Sequence, residues 1–189
     1  MKVRESGMPD ESTWIEFFDV ERLLSALEVD SQLEDLVEIG SGYGTFTLPS
    51  AKRIRGRLYA FDIEKEMVEI LLQKLIDQKI LNVIVKQRDI LVETTGLADE
   101  SIDYVMLFNI LHHTIPSDLM NEAYRILKPE GKIGIIHWRS DIATPRGPDL
   151  SIRPRPEHII EVLDNQKFRI HKSPFILEPF HFGLIVSKL

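Results

Sequence analysis

Apolar residues along this 189-residue chain fall into two patterns. Short, near-continuous apolar runs stand at 36–39, 57–62, 82–86, 102–108 and 132–138, and again at 168–176 and 180–189. Runs of this length suit strands, and the stretch 102–108 suits a central parallel strand covered on both faces. Between the runs, apolar residues recur three and four apart, the helical period. The clearest such segment, 64–78, carries Met67, Val68, Leu71, Leu72, Leu75 and Ile76, all expected to pack on a sheet. A shorter helix is expected from Asp19, a capping residue type, to about Leu27, with Leu23, Leu24 and Leu27 on one face. Pro49 is tolerated only in a first helical turn, which places the start of the helix after the first strand near Phe46 or Thr47. Pro116 opens a helix to about Leu127, with Leu119, Ala123, Ile126 and Leu127 inward, and Pro156 opens another to about Asn165. Lys128-Pro129-Glu130-Gly131 reads as a type I turn.

Alternating strands and helices predict right-handed crossovers and a doubly wound, mostly parallel α/β sheet of seven strands. The last two runs are expected as an antiparallel pair at one edge, with Pro174 and Pro179 near their ends, where strands allow them. Ligands in such sheets bind at the carboxyl ends of the strands. Those ends carry Glu38 to Gly44, Asp62, Asp89, Phe108-Asn109 and His137-Trp138.

The first of these ends is the most informative. The run 36–39 breaks into glycine at positions 40, 42 and 44, followed by a helix-compatible segment. Strand, glycine turn, helix is the local plan of a nucleotide-type cofactor site. About twenty residues on, Asp62 closes the second apolar run, where a carboxylate can accept both hydroxyls of a ribose. The alternative for Asp62 is a helix cap, and for Asp89 a solvated loop carboxylate. A dinucleotide loop of the G-x-G-x-x-G type would place glycine at Thr45, so a nicotinamide oxidoreductase is disfavoured.

Composition narrows the class further. The length fits one domain, 1–189. Net charge is −7, from 23 basic and 30 acidic residues, which argues against non-specific binding to nucleic acid or to an anionic membrane. There are no cysteines, so disulfides, thiolate zinc sites and cysteine nucleophiles are excluded. Residues 1–10 have no apolar core of the signal-peptide type, and no apolar run approaches the roughly 20 residues of a membrane span. A cytoplasmic location is expected. Residues 1–18 are polar until Trp14, Phe17 and Phe18; they form either a lid that folds back or a terminus whose aromatics pack on the core. The stretch 139–155 holds Pro145, Pro148 and Pro154 together with Arg139, Arg146, Arg153 and Arg155, too many prolines for regular structure. It is either a loop over a substrate or a solvated loop whose arginines pair with Asp141, Asp149 and Glu157.

The loop 38–44, E-x-G-x-G-x-G, resembles the first motif of the class I methyltransferases that use S-adenosyl-L-methionine. Phe61-Asp62-Ile63 looks like the second motif and Arg88-Asp89-Ile90 the third. The stretch 103–109 with Leu111-His112-His113 looks like the fourth, and 124–132 the fifth. The resemblance spans 36–138 and is nearest the small-molecule group that includes the ubiquinone and menaquinone enzymes. It implies a Rossmann-like methyltransferase fold and S-adenosyl-L-methionine as cofactor. Glu38, Gly40 and Gly42, with Ser41 and Tyr43 in the same loop, would line its methionine end. Asp62 would bind the ribose, Ile63 would pack on adenine, and Asp89 would accept the adenine amine beside Ile90. Asn109 would sit near the sulfonium, which the ring face of Tyr43, Phe18 or Phe108 can favour.

The implied chemistry is in-line transfer of a methyl group to a small-molecule acceptor. A general base is needed only if the nucleophile must lose a proton; His112, His113 and His137 are the candidates. His112-His113 as a metal pair is disfavoured, because adjacent side chains rarely converge on one ion and no third ligand stands at suitable spacing, so no metal is expected. Arg139, Arg146 and Arg153 would suit a carboxylate or phosphate on the acceptor. A monomer or homodimer is expected, without nucleic-acid or membrane partners. A protein that binds the cofactor or a partner without catalysis is the alternative.

Overall fold

The computed structural model describes residues 9–112 and 116–189, and Pro116 by its backbone only; residues 1–8 of the expected lid and His113 lie outside the described residues. Seven strands form one sheet: β1 (Leu36–Ile39), β2 (Leu58–Asp62), β3 (Val83–Gln87), β4 (Ile102–Phe108), β5 (Leu127–Trp138), β6 (Phe168–Leu177) and β7 (His181–Lys188). Their order is β3-β2-β1-β4-β5-β7-β6. The first five run parallel, whereas β7 is antiparallel to β5 and β6 to β7. The chain runs outward from β1 through β2 to β3, then crosses back to β4 on the other side of β1. That reversal opens a crevice above the tips of β1 and β4.

Alternation along the strands builds two cores. Leu36, Leu58, Ala60, Tyr104, Met106 and Phe108 point to one face, which is covered by α2 (Val20–Ala26), α3 (Thr47–Arg53) and α4 (Lys65–Asp77). Val37, Ile39, Phe61, Val105 and Leu107 point to the other, under α6 (Pro116–Ile126) and α7 (Pro156–Glu161). Burial on both sides explains why these strands read as unbroken apolar runs. Tyr104 pins the layers together: its hydroxyl donates to the carbonyl of Leu27, 2.7 Å away, just past α2. Gly134 on β5 makes room for it, since a Cβ there would lie 2.0 Å from that hydroxyl.

Local chemistry sets the helix ends. Asp19 caps α2 through the backbone N–H of Arg22, and Pro49 falls in the first turn of α3. A short α1 (Glu11–Ile15) precedes them, capped by Asp10. Four expectations need correction. Leu72 and Ile76 do not join the α4 stripe; they are 43% and 70% exposed. At about 100° per residue they stand roughly 140° and 180° round from Met67, outside the arc of about 100° that holds Met67, Leu71, Leu75 and Val68. Secondly, the turn at 128–131 is a bulge inside β5: Ile102 pairs with Leu127 and Tyr104 with Lys132, so the intervening residues loop out, with Glu130 at φ 64°. Thirdly, α7 stops at Glu161, short of Asn165; the Asp164 carboxylate accepts from the Gln166 N–H and turns the chain. Lastly, a helix not anticipated, α5 (Ile90–Glu93), follows β3, capped by Asp89. The proline-rich stretch 139–155 is irregular apart from one 3-10 turn, Leu150–Ile152. No helix among the described residues is long and apolar enough to cross a membrane.

Candidate active site at the strand tips

Beyond Ile39 the backbone swings into the left-handed region at Gly40, φ 81°, where a Cβ would also meet Ile110 at 2.9 Å. Gly44 is confined from the other side, by Leu71 at 2.5 Å from a hypothetical Cβ. The N–H groups of Gly40 and Ser41 both donate to the Phe61 carbonyl, at 2.8 and 3.0 Å, which hangs the loop on the tip of β2. Asp62 completes the attachment. One carboxylate oxygen accepts from the Gly42 N–H at 2.7 Å, the other from the Glu64 N–H at 2.9 Å. Both oxygens retain a second lone pair. Burial raises the pKa of Asp62, and the backbone N–H bonds oppose that shift.

Glu38, one residue before the β1 terminus, is 1% exposed. The Thr47 hydroxyl donates to it from α3. Loss of water pushes its pKa up to about 8; the Thr47 bond opposes the shift and the neighbouring Asp62 charge adds to it. Across the crevice Asn109 sits at φ 58°, strained for a residue with a side chain, and is held there by its N–H on the Ile136 carbonyl at 2.8 Å. Among the described residues its amide nitrogen and oxygen are buried without a partner, as is the Ser41 hydroxyl. Unpaired buried polar atoms cost about 1–3 kcal/mol each and call for an explanation. Three of them flank the β1–β4 reversal next to two carboxyls. That set of donors and acceptors fits a ligand carrying an amino-acid group and a ribose.

The other expected residues are placed as follows. Asp89 caps α5 through the Leu91 N–H at 3.1 Å, with Ile90 buried beside it and Ile63 half-buried after β2. The Tyr43 hydroxyl donates to the Pro9 carbonyl at 3.1 Å, while Lys74 donates to the Tyr43 carbonyl at 2.8 Å and pairs with Glu11. Tyr43 is thus tied to the amino-terminal arm. A cleft of about 540 Å³ lies beneath that arm, lined by Glu11, Tyr43, Thr45, Lys52 and Lys74; Glu38, Ser41, Asp62 and Asn109 do not line it.

The arm also reaches the strand tips. Phe17 packs on Trp138, Phe18 on Phe46 and His181, and Phe46 on Phe108, with ring centroids 4.5–5.4 Å apart. Phe17 and Phe18 are buried, so the arm belongs to the core and covers the tips at once.

Two of the histidines meet. His112 Nδ1 lies 3.3 Å from His137 Nε2, and His137 Nδ1 lies 3.3 Å from the Trp138 carbonyl. A carbonyl only accepts, so His137 carries its proton on Nδ1, and its Nε2 accepts from His112. Burial first, then His112, pushes the His137 pKa down to about 3. His137 stays neutral and orients its neighbour. Among the described residues no group of three His, Asp or Glu side chains could hold a metal ion.

The three arginines are not equivalent. Arg153 is buried and donates to the carbonyls of Pro148, Arg139 and Arg146 at 2.7, 2.9 and 3.2 Å. Its guanidinium stands 5.7 Å from the Trp138 ring. Arg139 makes a two-bond pair with Asp141, at 3.0 and 2.8 Å. Arg146 is exposed. Sequence reasoning missed Thr47 and His181. The first had a signal, a hydroxyl residue opening the helix that follows an acidic strand tip; the second had none.

An open sheet in this strand order, with a glycine loop at its reversal point and a carboxylate on the neighbouring tip, defines a class I methyltransferase fold. Residues 37–135 match the methyltransferase-domain family, and the chain belongs to it. A methyltransferase-like protein of Schizosaccharomyces pombe is 30% identical over 110 residues, covering 58% of this chain and 40% of its own. The chain spans under half the length of the curated relatives it matches, 40% and 46%. Among solved structures, a SAM-dependent methyltransferase from Aquifex aeolicus superposes with a TM-score of 0.83 at 21% identity over 95% of both chains. A protein from Sulfolobus solfataricus described as a type 11 methyltransferase gives 0.67 at 28% identity, over 89% of this chain and 90% of that one. Fold class and family are those the sequence motifs implied.

Proposed function

We propose that this chain is an S-adenosyl-L-methionine-dependent methyltransferase acting on a small-molecule acceptor, folded as one domain over 1–189 and working in the cytoplasm as a monomer or homodimer. The observation that carries it is the trio of unpaired buried atoms on Ser41 and Asn109, set beside Glu38 and Asp62 at the sheet's reversal point. Glu38, Gly40, Ser41, Gly42 and Asn109 would hold the amino-acid end of the cofactor, with Tyr43 fixing the loop from the arm side. Asp62 would take the ribose through its remaining lone pairs, and Ile63, Asp89 and Ile90 would frame the adenine. When bound, this cofactor supplies a methyl group already activated on a sulfonium.

The protein's part is alignment, exclusion of water and, where needed, removal of a proton. The arm through Phe18 serves as a lid, and the loop 139–155 is the acceptor's cover. Arg153 holds that loop's shape, Arg139 is occupied by Asp141, and the exposed Arg146 is left to meet the acceptor's anionic group. Of the histidines, His112 is the base, with its tautomer set by His137. A net charge of −7 supports a small acceptor over a nucleic acid. The test is calorimetric titration with S-adenosyl-L-methionine, followed by transfer of its labelled methyl group into a fractionated metabolite extract. Saturable binding with a labelled small-molecule product is expected. Absence of binding refutes the cofactor assignment, and binding without any labelled product across extracts favours a protein that holds the cofactor without turnover.

A further inference from the structure

Glu38 is an acid in a place where its charge has little support. It is sealed under the glycine loop with 1% of its surface exposed. Among the described residues the elements around it offer no cation. On β2 its cross-strand partner is Ala60, and on β4 it is Met106. Asp62, from β2, is the charged group that faces it, and α3 supplies only the Thr47 hydroxyl. None of the ion pairs among the described residues includes Glu38. A buried carboxylate with one hydroxyl donor and a like charge beside it is strongly disfavoured, so the neutral acid is the stable form. The loop above it is where a ligand's cationic group would arrive.

We propose that Glu38 is a protonated acid in the free protein and releases that proton to solvent when a cationic ligand seats on the glycine loop, so that the site selects ligands by their charge. This rests on the cofactor assignment made above. The balance is simple: the O–H bond of Glu38 breaks, the proton goes to buffer, and the carboxylate left behind neutralises the incoming positive charge. Binding that releases a proton tightens with pH, up to about tenfold per unit below the midpoint of the titration. Both S-adenosyl-L-methionine and its demethylated thioether product, S-adenosyl-L-homocysteine, bring an α-ammonium to this end of the site, but only the former adds a sulfonium, so both draw the proton off and the methylated form does so more strongly. The preference for the methylated over the demethylated form therefore widens as pH rises from 6 to 8, which favours product exchange after turnover.

The experiment is calorimetric titration of both compounds at pH 7 in buffers of different ionisation enthalpy. Close to one proton released per S-adenosyl-L-methionine is expected, fewer for S-adenosyl-L-homocysteine, and none in Glu38→Gln, which copies the neutral acid. A ligand-free readout runs beside it: an infrared band of a neutral carboxylic acid at pH 6.5 that Glu38→Gln lacks and that S-adenosyl-L-methionine abolishes in the native protein. If Glu38→Gln fails to fold, Thr47→Val serves instead; removing the hydroxyl donor moves the midpoint of proton release to higher pH. A free protein without the band, or equal proton release in Glu38→Gln, overturns the proposal and leaves the cofactor assignment standing. A band present with no binding of either compound overturns the cofactor assignment, and this proposal falls with it.

Discussion

Replacing Asp62 by Asn separates the two tasks that this carboxylate combines. In the structure its oxygens accept the N–H groups of Gly42 and Glu64, at 2.7 and 2.9 Å. Asparagine keeps one acceptor and turns an NH2 group toward the other backbone N–H, so one charge-assisted bond is lost and a buried donor is left unpaired. Each of those effects amounts to about 1–3 kcal/mol. Part is returned, because the native carboxylate is itself raised by burial. A net destabilisation of about 1–3 kcal/mol lowers Tm by roughly 2–12 °C in a domain of this size. Ligand affinity falls further: a hydroxyl bonded to a charged acceptor is worth about 1.5–3 kcal/mol, roughly ten- to a hundredfold in Kd. Thermal unfolding and calorimetric titration with S-adenosyl-L-methionine measure the two effects. Asp103→Asn is the control. Asp103 accepts the Asp35 N–H at 2.8 Å and pairs with Lys128, but at the opening residues of β4, away from the tips. It should lose comparable stability with affinity unchanged. Asp62→Asn binding within twofold of native, or equal weakening in the control, would falsify the assignment of Asp62 to the ligand.

Two further outcomes follow from the same geometry. The Glu38 carboxyl, ordinarily near 4.5, is held at about 8 in the fold. Between those values the folded state keeps a proton that the unfolded chain has released. The stability this contributes is complete below pH 4.5 and drains away as pH rises through 8, by about 1.4 kcal/mol per unit and up to about 5 kcal/mol in all. Urea midpoints for native protein and Glu38→Gln between pH 4.5 and 9 should diverge in slope by that amount; parallel curves would refute it. Arg153→Lys leaves one point charge where a planar fork served three carbonyls, so the loop 139–155 should loosen and trypsin should nick it after Arg139 or Arg146 several-fold faster. An unchanged nicking rate would mean that the prolines alone hold the loop.

The sheet was legible because its strands are short and buried on both faces, so that β1 and β4 coincide with their apolar runs to the residue. The carboxy-terminal pair was legible from its two runs and from Pro179 between them, although Pro174 lies inside β6, where the pairing with β7 is irregular. The errors came where periodicity carries no information about the partner surface. The apolar positions of 64–78 mix two sectors of α4: Leu72 stands roughly 140° round from Met67 and is exposed, a difference that counting apolar residues three and four apart hides. Likewise a proline and a glycine at 129 and 131 announce a turn, but not that the strand has already begun at Leu127 and resumes after it.

The site divides along the same line. The side proposed for the cofactor is local in sequence: Gly40 to Gly44 is one turn, and Asp62 closes the next strand. Thr47 escaped notice although it lies nine residues from Glu38, because its role depends on the first turn of α3 folding back over the acid it meets. The side proposed for the acceptor is not local at all. Phe18 reaches His181 across the whole chain, and Trp138 meets both Phe17 of the arm and Arg153 of the loop. Arginines at 139, 146 and 153 look interchangeable on paper, yet one closes the loop on its own carbonyls, one is neutralised by Asp141, and one remains exposed. Which guanidinium stays accessible is therefore decided by the carbonyls that the loop turns toward Arg153 as much as by the Asp141 pairing that the sequence offered, and the exposed Arg146 is the residue at which the proposed acceptor's charge is best tested.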